Sequence, residues 1–335
     1  MSETEQKPHA VKGDRQLSPE QRRKRKGHIL THGWSSMTRG IAEAAVIKGE
    51  DLFFLTEPDG SVPIEEGHGF GLYYHDCRFL NGYELRIDGV RPDKLASTAA
   101  HGFLAVIELT NPDLQGPGGR VIKKETVGIK WTRVIDNTEL VLRDLIAFRN
   151  YGIDPVELPF SLAFRAEFED IFAVRGVLPQ EQGKLCPPHW KDGCLRLVYD
   201  GAGGVCRSLS VHFSPKPHQT DGTTAYFRID LKSEEGAQVA ASLAVAGSRS
   251  PDKVRPQVRD RADFQRLTRA MEDAAGKWLS ERTEVQSDNM FLNRILARSL
   301  RDLYMLKSRL KRWQYFAAGV PWFVTLFGQH GLANQ

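Results

Sequence analysis

The feature that most constrains the fold is a long succession of short β-type segments in residues 44–246. Each segment is rich in Val, Ile, Leu, Phe or Tyr, and Gly, Pro, Asp or Asn separates it from the next. No helical pattern intervenes, so the succession predicts a mainly β fold, a large antiparallel β-sandwich of two sheets. The predicted strands are 44–48, 52–56, 70–74, 79–88, 103–110, 121–135, 140–150, 158–168, 195–199, 209–213, 225–231 and 238–246.

Two predicted strands show how the sheets should be buried. In 140–150 the apolar residues Leu142, Leu145 and Phe148 do not alternate cleanly with polar ones, which predicts burial on both faces of a large sheet. In 158–168 the apolar residues alternate strictly, which predicts one buried face and one open face.

After residue 248 the apolar residues follow a helical period. Phe264, Leu267, Met271 and Trp278 lie on one face of a predicted helix. A second helix is predicted to run to about residue 311, after the capping residue Asn289. Its apolar positions are Leu292, Leu296, Leu303, Leu306 and Leu310. We therefore expect three regions: a basic arm at 1–28, the sandwich at 29–248, and a short helical segment at 249–335.

The arm is polar and strongly basic, with its densest run of charge at residues 21–27. It has few large apolar residues, so we expect it to be disordered. A patch that binds phosphate or directs localisation is one interpretation. We favour the other, a solvated leader.

Composition excludes several classes. A formal charge of +4 is small and concentrated in the arm, so we expect no nucleic-acid partner. No apolar run is long enough to span a membrane and no secretory signal is evident, so we expect a cytoplasmic protein. A zinc site could be sketched from Cys186, His189, Cys194 and Cys206. Structural zinc sites usually have two pairs of ligands at short sequence spacing, and here only Cys186 and His189 form such a pair. We expect no metal and no cofactor.

The most apolar stretch is residues 315–330. Exposed apolar surface forfeits about 25 cal/mol per Å². We therefore expect this stretch to pack against something outside the chain.

Within that stretch, Ala-Ala-Gly-Val-Pro-Trp-Phe-Val-Thr-Leu-Phe-Gly at 317–328 resembles the start of the catalytic barrel in bacterial amylo-α-1,6-glucosidases, the glycogen-debranching-type enzymes. In that family the run continues as Gly-Arg-Asp-Ser. This chain has Gln329, His330 and Gly331 instead, so the resemblance stops where substrate contacts would begin. The resemblance implies a sandwich, a linker helix and a first barrel helix.

A second run, Gly-Leu-Tyr-Tyr-His-Asp-Cys-Arg-Phe-Leu at 71–80, is similar to the N-terminal domain of the same family. An Asp and an Arg two apart on a strand project to the same face. His75, Asp76 and Arg78 could form a polar lip over a sugar site. We favour a structural polar motif, in which an internal ion pair fixes a turn.

The resemblance implies no catalytic residue in this chain, because both carboxylates of the family lie farther along an α/α barrel. Trp322, Phe327 and Gln329 are the candidates for substrate binding. Aromatic faces stack on sugars, and the Gln329 amide can hydrogen-bond a hydroxyl. We favour the alternative that Trp322 and Phe327 pack between barrel helices.

The expected function is therefore that of the non-catalytic N-terminal domain of a glycogen-debranching amylo-α-1,6-glucosidase, inactive alone and cut at the barrel entrance. The missing barrel would lie in a broken gene or in a separate chain, and an α-glucan or oligosaccharide is the expected ligand. Two alternatives stay open. One is a stand-alone carbohydrate-binding module using Tyr73, Tyr74 and Trp131; the other is a scaffold subunit that docks a barrel-bearing partner through its apolar tail.

Overall fold

The computed structural model describes residue 41 and residues 43–99, 101–115, 121–136, 139–176, 183–201, 204–248, 261–310 and 313–324. The basic arm at 1–28 lies outside the described residues, as do Phe327 and Gln329.

Short strands dominate the described chain, as the sequence predicts, and they are followed by helices near the C-terminal end. The strands are β1 (Ala45–Gly49), β2 (Leu52–Thr56), β3 (Gly71–Tyr74), β4 (Cys77–Leu80), β5 (Gly82–Ile87), β6 (Asp93–Thr98), β7 (Leu104–Thr110), β8 (Leu114–Gln115), β9 (Val121–Ile122), β10 (Val127–Asp136), β11 (Val141–Asn150), β12 (Val156–Arg165), β13 (Glu169–Asp170), β14 (Lys184–Leu185), β15 (His189–Lys191), β16 (Cys194–Asp200), β17 (Cys206–Ser214), β18 (Gln219–Asp221), β19 (Thr224–Leu231), β20 (Gly236–Ser248), β21 (Lys307–Leu310) and β22 (Trp313–Phe316). The described helices are α1 (Ile171–Val174), α2 (Arg261–Ser280) and α3 (Met290–Leu306).

Three antiparallel sheets form the body of the protein. The large sheet has nine strands in the order β14-β16-β17-β20-β11-β10-β7-β6, with β15 also paired to β16. A five-stranded sheet has the order β1-β2-β3-β4-β13, and a four-stranded sheet has the order β18-β19-β12-β5. The mainly β, antiparallel fold class is confirmed, although one layer of the sandwich is divided between two smaller sheets.

Aromatic side chains join the layers. The Tyr83 and Trp131 rings meet edge to face with centroids 5.3 Å apart, linking β5 to β10. Farther along the core, Phe148 and Phe160 link β11 to β12, with centroids 4.7 Å apart. Such pairs contribute about 0.5–1.5 kcal/mol beyond the area they bury.

The other face of the large sheet is covered by α2. Phe264 and Met271 of this helix pack in a second apolar cluster with Val134 and Leu145 of the sheet. Leu142, three residues before Leu145, faces the main core instead. The prediction that 140–150 is buried on both faces is therefore confirmed for residues 141–144, whereas Leu145 and Ala147 are half-buried and Arg149 is exposed on the α2 side.

Arg133 of β10 lies at the junction of the three sheets and is almost fully buried. Its Nε donates to Asp144 Oδ2 at 3.1 Å, and its Nη1 donates to the Gly60 carbonyl. The guanidinium carbon lies 3.7 Å from the centroid of the Trp131 indole and 5.0 Å from that of the Tyr83 ring. The indole Nε1 also donates to Asp144 Oδ2, at 2.8 Å. A buried charge is tolerated only with partners of this kind.

Two predicted strands are each divided in the structure. Segment 79–88 becomes β4 and β5, which belong to different sheets. The chain turns between them at Asn81, whose backbone N–H donates to the Arg165 carbonyl at 2.9 Å. Segment 121–135 becomes β9 and β10. There the Val127 amide donates to the Asn111 side chain, and Glu125 has a left-handed backbone with φ of 63°. Hydrogen bonds to residues distant in sequence accompany both strand breaks, so the local pattern of apolar residues does not predict them.

The second helix ends at Leu306, not near residue 311. The next residues form the hairpin β21–β22, so Leu310 is on a strand. The buried Lys48 of β1 anchors this hairpin, since its Nζ donates to Ser308 Oγ at 2.6 Å and to the Lys307 carbonyl at 3.0 Å. A contact 260 residues away in sequence thus decides where the helix stops.

We expect Asp144→Ala to lower the free energy of unfolding by about 3–5 kcal/mol, because Arg133 would remain buried without its carboxylate. The measurement is urea unfolding followed by tryptophan fluorescence. Arg149→Ala, which breaks the exposed pair with Glu234, is the control and should leave the midpoint unchanged. Equal midpoints for the two variants would contradict the role assigned to Arg133 and Asp144.

The Lys48 anchor predicts a pH dependence. Burial lowers the Lys48 pKa from 10.5 to about 8. Between these values the unfolded chain holds a proton that the folded chain has released, so stability rises with pH. Relative to Lys48→Met, the wild-type chain should gain at most about 3 kcal/mol from pH 7.5 to pH 10.5.

Urea unfolding at several pH values measures this difference. Lys94→Met, at an exposed position of β6, is the control and should follow the wild-type profile. Parallel profiles for Lys48→Met and the wild type would exclude a depressed Lys48 pKa.

Candidate functional site

Arg78, predicted as part of a polar motif, is buried and binds three segments together. Its Nε donates to Glu169 Oε2 at 3.0 Å, and its Nη2 donates to the same oxygen. Its Nη1 donates to the carbonyls of His68 and Phe70. These charge-assisted bonds connect β4 with β13 and with the loop before β3.

His75 and Asp76 form the tight turn between β3 and β4. Both have a left-handed backbone, with φ of 45° and 56°, and both side chains are exposed. The sequence placed Asp76 on a strand beside Arg78, but the partner of Arg78 is Glu169. His75, Asp76 and Arg78 therefore do not converge on one cleft: the first two face solvent and the third faces the core.

Trp322 is half-buried against the main core. The Arg175 guanidinium carbon lies 5.8 Å from the centroid of its indole. Val320 and Val324 pack beside it on the same core, and Tyr315 is buried. The sandwich therefore covers part of the described stretch 315–324, whereas Phe323 remains 47% exposed. The expectation that this stretch packs against something outside the chain stays a prediction. The other two substrate-binding candidates, Phe327 and Gln329, lie beyond the described residues.

The aromatic residues proposed for a stand-alone sugar-binding face are mostly inaccessible. Tyr73 is fully buried and stacks on Phe53 at 4.9 Å between centroids. Trp131 is 1% exposed and belongs to the Arg133 network. Only Tyr74 of the three is partly exposed. That proposed face is wrong, because strand alternation turned Tyr73 and Trp131 inward.

The cysteines are free thiols, and one lies beside a histidine that the sequence analysis did not single out. Cys194 Sγ is 3.3 Å from His212 Nε2, across the register of β16 and β17. Burial raises the Cys194 pKa to about 11 and lowers the His212 pKa. Both shifts favour neutral groups, so the pair is not an activated nucleophile. Within the described ranges, no group of three or more His, Cys, Asp or Glu side chains could hold a metal ion.

Buried carboxylates in the sandwich are paired with arginines. Glu84 lies between Arg86 and Arg91, and Asp144 is held by Arg133. Retaining and inverting glycosidases both need a carboxylic acid with a raised pKa near a second carboxylate, with room for the sugar between them. Burial raises the Asp144 pKa, but both Asp144 and Glu84 are enclosed in the core and held in ion pairs, so neither can reach a sugar.

Glu57 is the accessible carboxylate closest to the required behaviour. Burial raises its pKa, with a further contribution from Asp59. Its Oε2 nevertheless accepts a hydrogen bond from Ser61 Oγ at 3.1 Å and lies 3.5 Å from Arg91 Nη1. These partners favour the ionised form, so Glu57 is poorly suited to act as a general acid.

A stripe of apolar side chains on α3 is exposed. Phe291, Leu292, Ile295 and Leu303, which we call the α3 stripe, are each at least 41% exposed, and Phe291 reaches 71%. At 100° per residue they lie within an arc of about 120° on the helix. No described residue of α3 is buried. The sequence analysis named Leu292 and Leu303 among the apolar positions of this helix, but not Phe291 or Ile295.

The helices of the described chain are too short or too polar for any of them to cross a bilayer.

Comparison with known proteins gives a family. Residues 47–242 match the model of the N-terminal domain of some glycogen debranching enzymes. Comparison with curated protein sequences returns no match.

Solved structures give weaker likenesses. A protein from the human microbiome described as a kojibiose phosphorylase is 9% identical with a TM-score of 0.47; the match covers 82% of this chain and 37% of that one. A protein of Escherichia coli K12 described as an aldose 1-epimerase is 8% identical with a TM-score of 0.33, covering 61% of this chain and 98% of that one. A galactose mutarotase-like protein from Lactobacillus casei ATCC 334 is also 8% identical with a TM-score of 0.33, covering 61% and 100%.

Because these TM-scores are all below 0.5, the assignment depends on the family match, which covers more than half of the 335 residues. The chain belongs to the family of the N-terminal domain of some glycogen debranching enzymes.

Proposed function

We propose that this chain serves as a non-catalytic domain in α-glucan debranching, and that a separate α/α-barrel body supplies the hydrolytic carboxylates. The family match over residues 47–242 is the observation that carries the proposal. The resemblance of 317–328 to the entrance of a catalytic barrel points in the same direction.

The state of the carboxylates supports a non-catalytic role. Glu84 and Asp144 are neutralised by arginines within the sandwich, and Glu57 is held by Ser61 and Arg91. A hydrolytic acid must instead keep its proton near neutral pH and face the glycosidic oxygen. The sandwich uses its buried acids for cohesion.

The α3 stripe is the proposed docking surface for the barrel body. Exposed apolar patches on otherwise polar surfaces mark interaction sites. The side chains of the stripe are exposed, while α2 and β1 contact α3 and the Ala317 amide donates to the Leu306 carbonyl at its C-terminal end. A helical body can bury such a stripe by ridge-into-groove packing.

The proposal includes a cytoplasmic location. Cys77, Cys186, Cys194 and Cys206 are free thiols, which suits a reducing compartment.

We expect the purified chain to release no more glucose from glycogen β-limit dextrin than a heat-denatured sample does, because the buried carboxylates of the described sandwich are held in ion pairs. A coupled glucose assay measures the release, with an active amylo-α-1,6-glucosidase as the positive control. Release above background that Glu57→Gln abolishes would overturn the non-catalytic assignment.

The docking surface can be tested separately. The double variant Phe291→Ser/Ile295→Ser should reduce concentration-dependent association in light scattering and lower the binding of an apolar fluorescent dye. Its unfolding midpoint should stay unchanged, because these side chains are exposed in the folded chain. Ile153→Ser, at a 91% exposed loop position, is the matched control. Association that persists in the double variant would show that the α3 stripe is not the adhesive surface.

A further inference from the structure

The outer face of the four-stranded sheet contains a cleft of about 690 Å³. Its floor is the central strand β12, where Phe160, Leu162 and Phe164 point into the core. The alternate residues Pro159, Ser161 and Ala163 face outward and line the cleft. Because these three side chains are short, the sheet is left with a groove along its middle strand.

The neighbouring strands form the walls. Ser161 pairs in register with Arg86 on β5 and with Tyr226 on β19, and all three line the cleft. Adjacent strands are about 4.8 Å apart, so the two walls are separated by roughly 10 Å at the backbone. One wall therefore carries a guanidinium and the other an aromatic ring.

Arg86 is held in position before any ligand arrives. Its Nε and Nη2 donate to Glu84 Oε2 at 2.9 and 2.8 Å, and its Nη1 donates to the Gly89 carbonyl at 3.2 Å. Glu84 is 1% exposed and is held from its other side by Arg91. The Arg86 side chain is nevertheless 39% exposed, so part of this fixed fork faces the cleft. Such preorganisation lowers the entropy cost of binding.

The charges of the lining exclude strongly charged ligands. Glu65, Glu84 and Asp88 oppose Arg86 and Arg228, so acidic and basic groups nearly balance. Because Glu84 is enclosed by Arg86 and Arg91, a ligand would meet the carboxylates of Glu65 and Asp88 and the two guanidiniums, and neither sign of charge dominates. A neutral ligand that both donates and accepts hydrogen bonds and has an apolar face suits this lining.

We propose that this cleft binds a neutral oligosaccharide, specifically a short segment of α-glucan chain. Tyr226 stacks on a sugar ring, and Arg86 and Ser161 hydrogen-bond its hydroxyls. The choice of an α-glucan rests on the proposed function, whereas the neutral, hydroxyl-rich character follows from the lining. The sandwich would then hold the glucan while the barrel body performs the hydrolysis.

Isothermal titration of the full chain with maltoheptaose tests the proposal, with cellohexaose as the β-linked comparison. Tyr226→Ala should weaken maltoheptaose binding about tenfold, and Ser161→Trp should abolish it by filling the floor. Tyr151→Ala, which removes an exposed tyrosine from a loop outside the cleft, is the matched control and should bind like the wild type. Thermal unfolding of each variant checks its fold. If Ser161→Trp proves to be destabilised, the maltoheptaose affinity of Tyr226→Ala alone tests the cleft.

Maltoheptaose binding that is unaffected by either cleft variant would overturn the cleft as the site while leaving the proposed function intact. Absence of maltoheptaose binding by the wild-type chain would overturn the cleft proposal outright. Equal affinity for cellohexaose would overturn the α-glucan specificity. The proposed function is judged independently, by the glucose-release experiment.

Discussion

Among the buried cations of the described residues, the Arg133 guanidinium is the one that contacts all three sheets. It lies on the large sheet, contacts Phe54 of the five-stranded sheet and Tyr83 of the four-stranded sheet, and bonds the Gly60 carbonyl. Asp144 compensates its charge from the neighbouring strand. A charge at this depth is tolerated only while each of these partners stays in place. The three sheets are therefore fixed relative to one another by polar geometry as well as by apolar burial.

Other arginine–carboxylate pairs lie elsewhere in the sandwich. Arg78 with Glu169 attaches β13 to β4, and Arg86 and Arg91 enclose Glu84 beside the outer cleft. In each case a guanidinium fork holds a carboxylate through charge-assisted hydrogen bonds. Among the described residues, the buried acids Glu84, Asp136 and Asp144 are each paired with an arginine, so these carboxylates stabilise the fold.

The two surfaces proposed for partners differ in character. The α3 stripe is apolar and exposed, which suits packing against another helical body. The cleft on the four-stranded sheet is polar, with balanced charge and one aromatic wall, and it suits a hydroxyl-rich chain. A domain that grips substrate on one surface and its catalytic partner on the other would raise the local substrate concentration at the catalytic centre. That division of labour is consistent with a sandwich whose own acids serve cohesion.

The sequence by itself determined the mainly β class, the strict alternation of β12 and the burial of both faces in the first part of β11, because these follow from the spacing of apolar residues along the chain. The runs at 71–80 and 317–328 likewise pointed to the family. Tertiary structure alone decided that Glu169 pairs with Arg78, that Lys48 ends α3 at Leu306, and that Tyr73 and Trp131 face inward. It also brought Arg86, Ser161 and Tyr226 into one row from three separate strands. Local periodicity records which side of an element is apolar, but only strand register and long-range packing determine which polar groups meet across it.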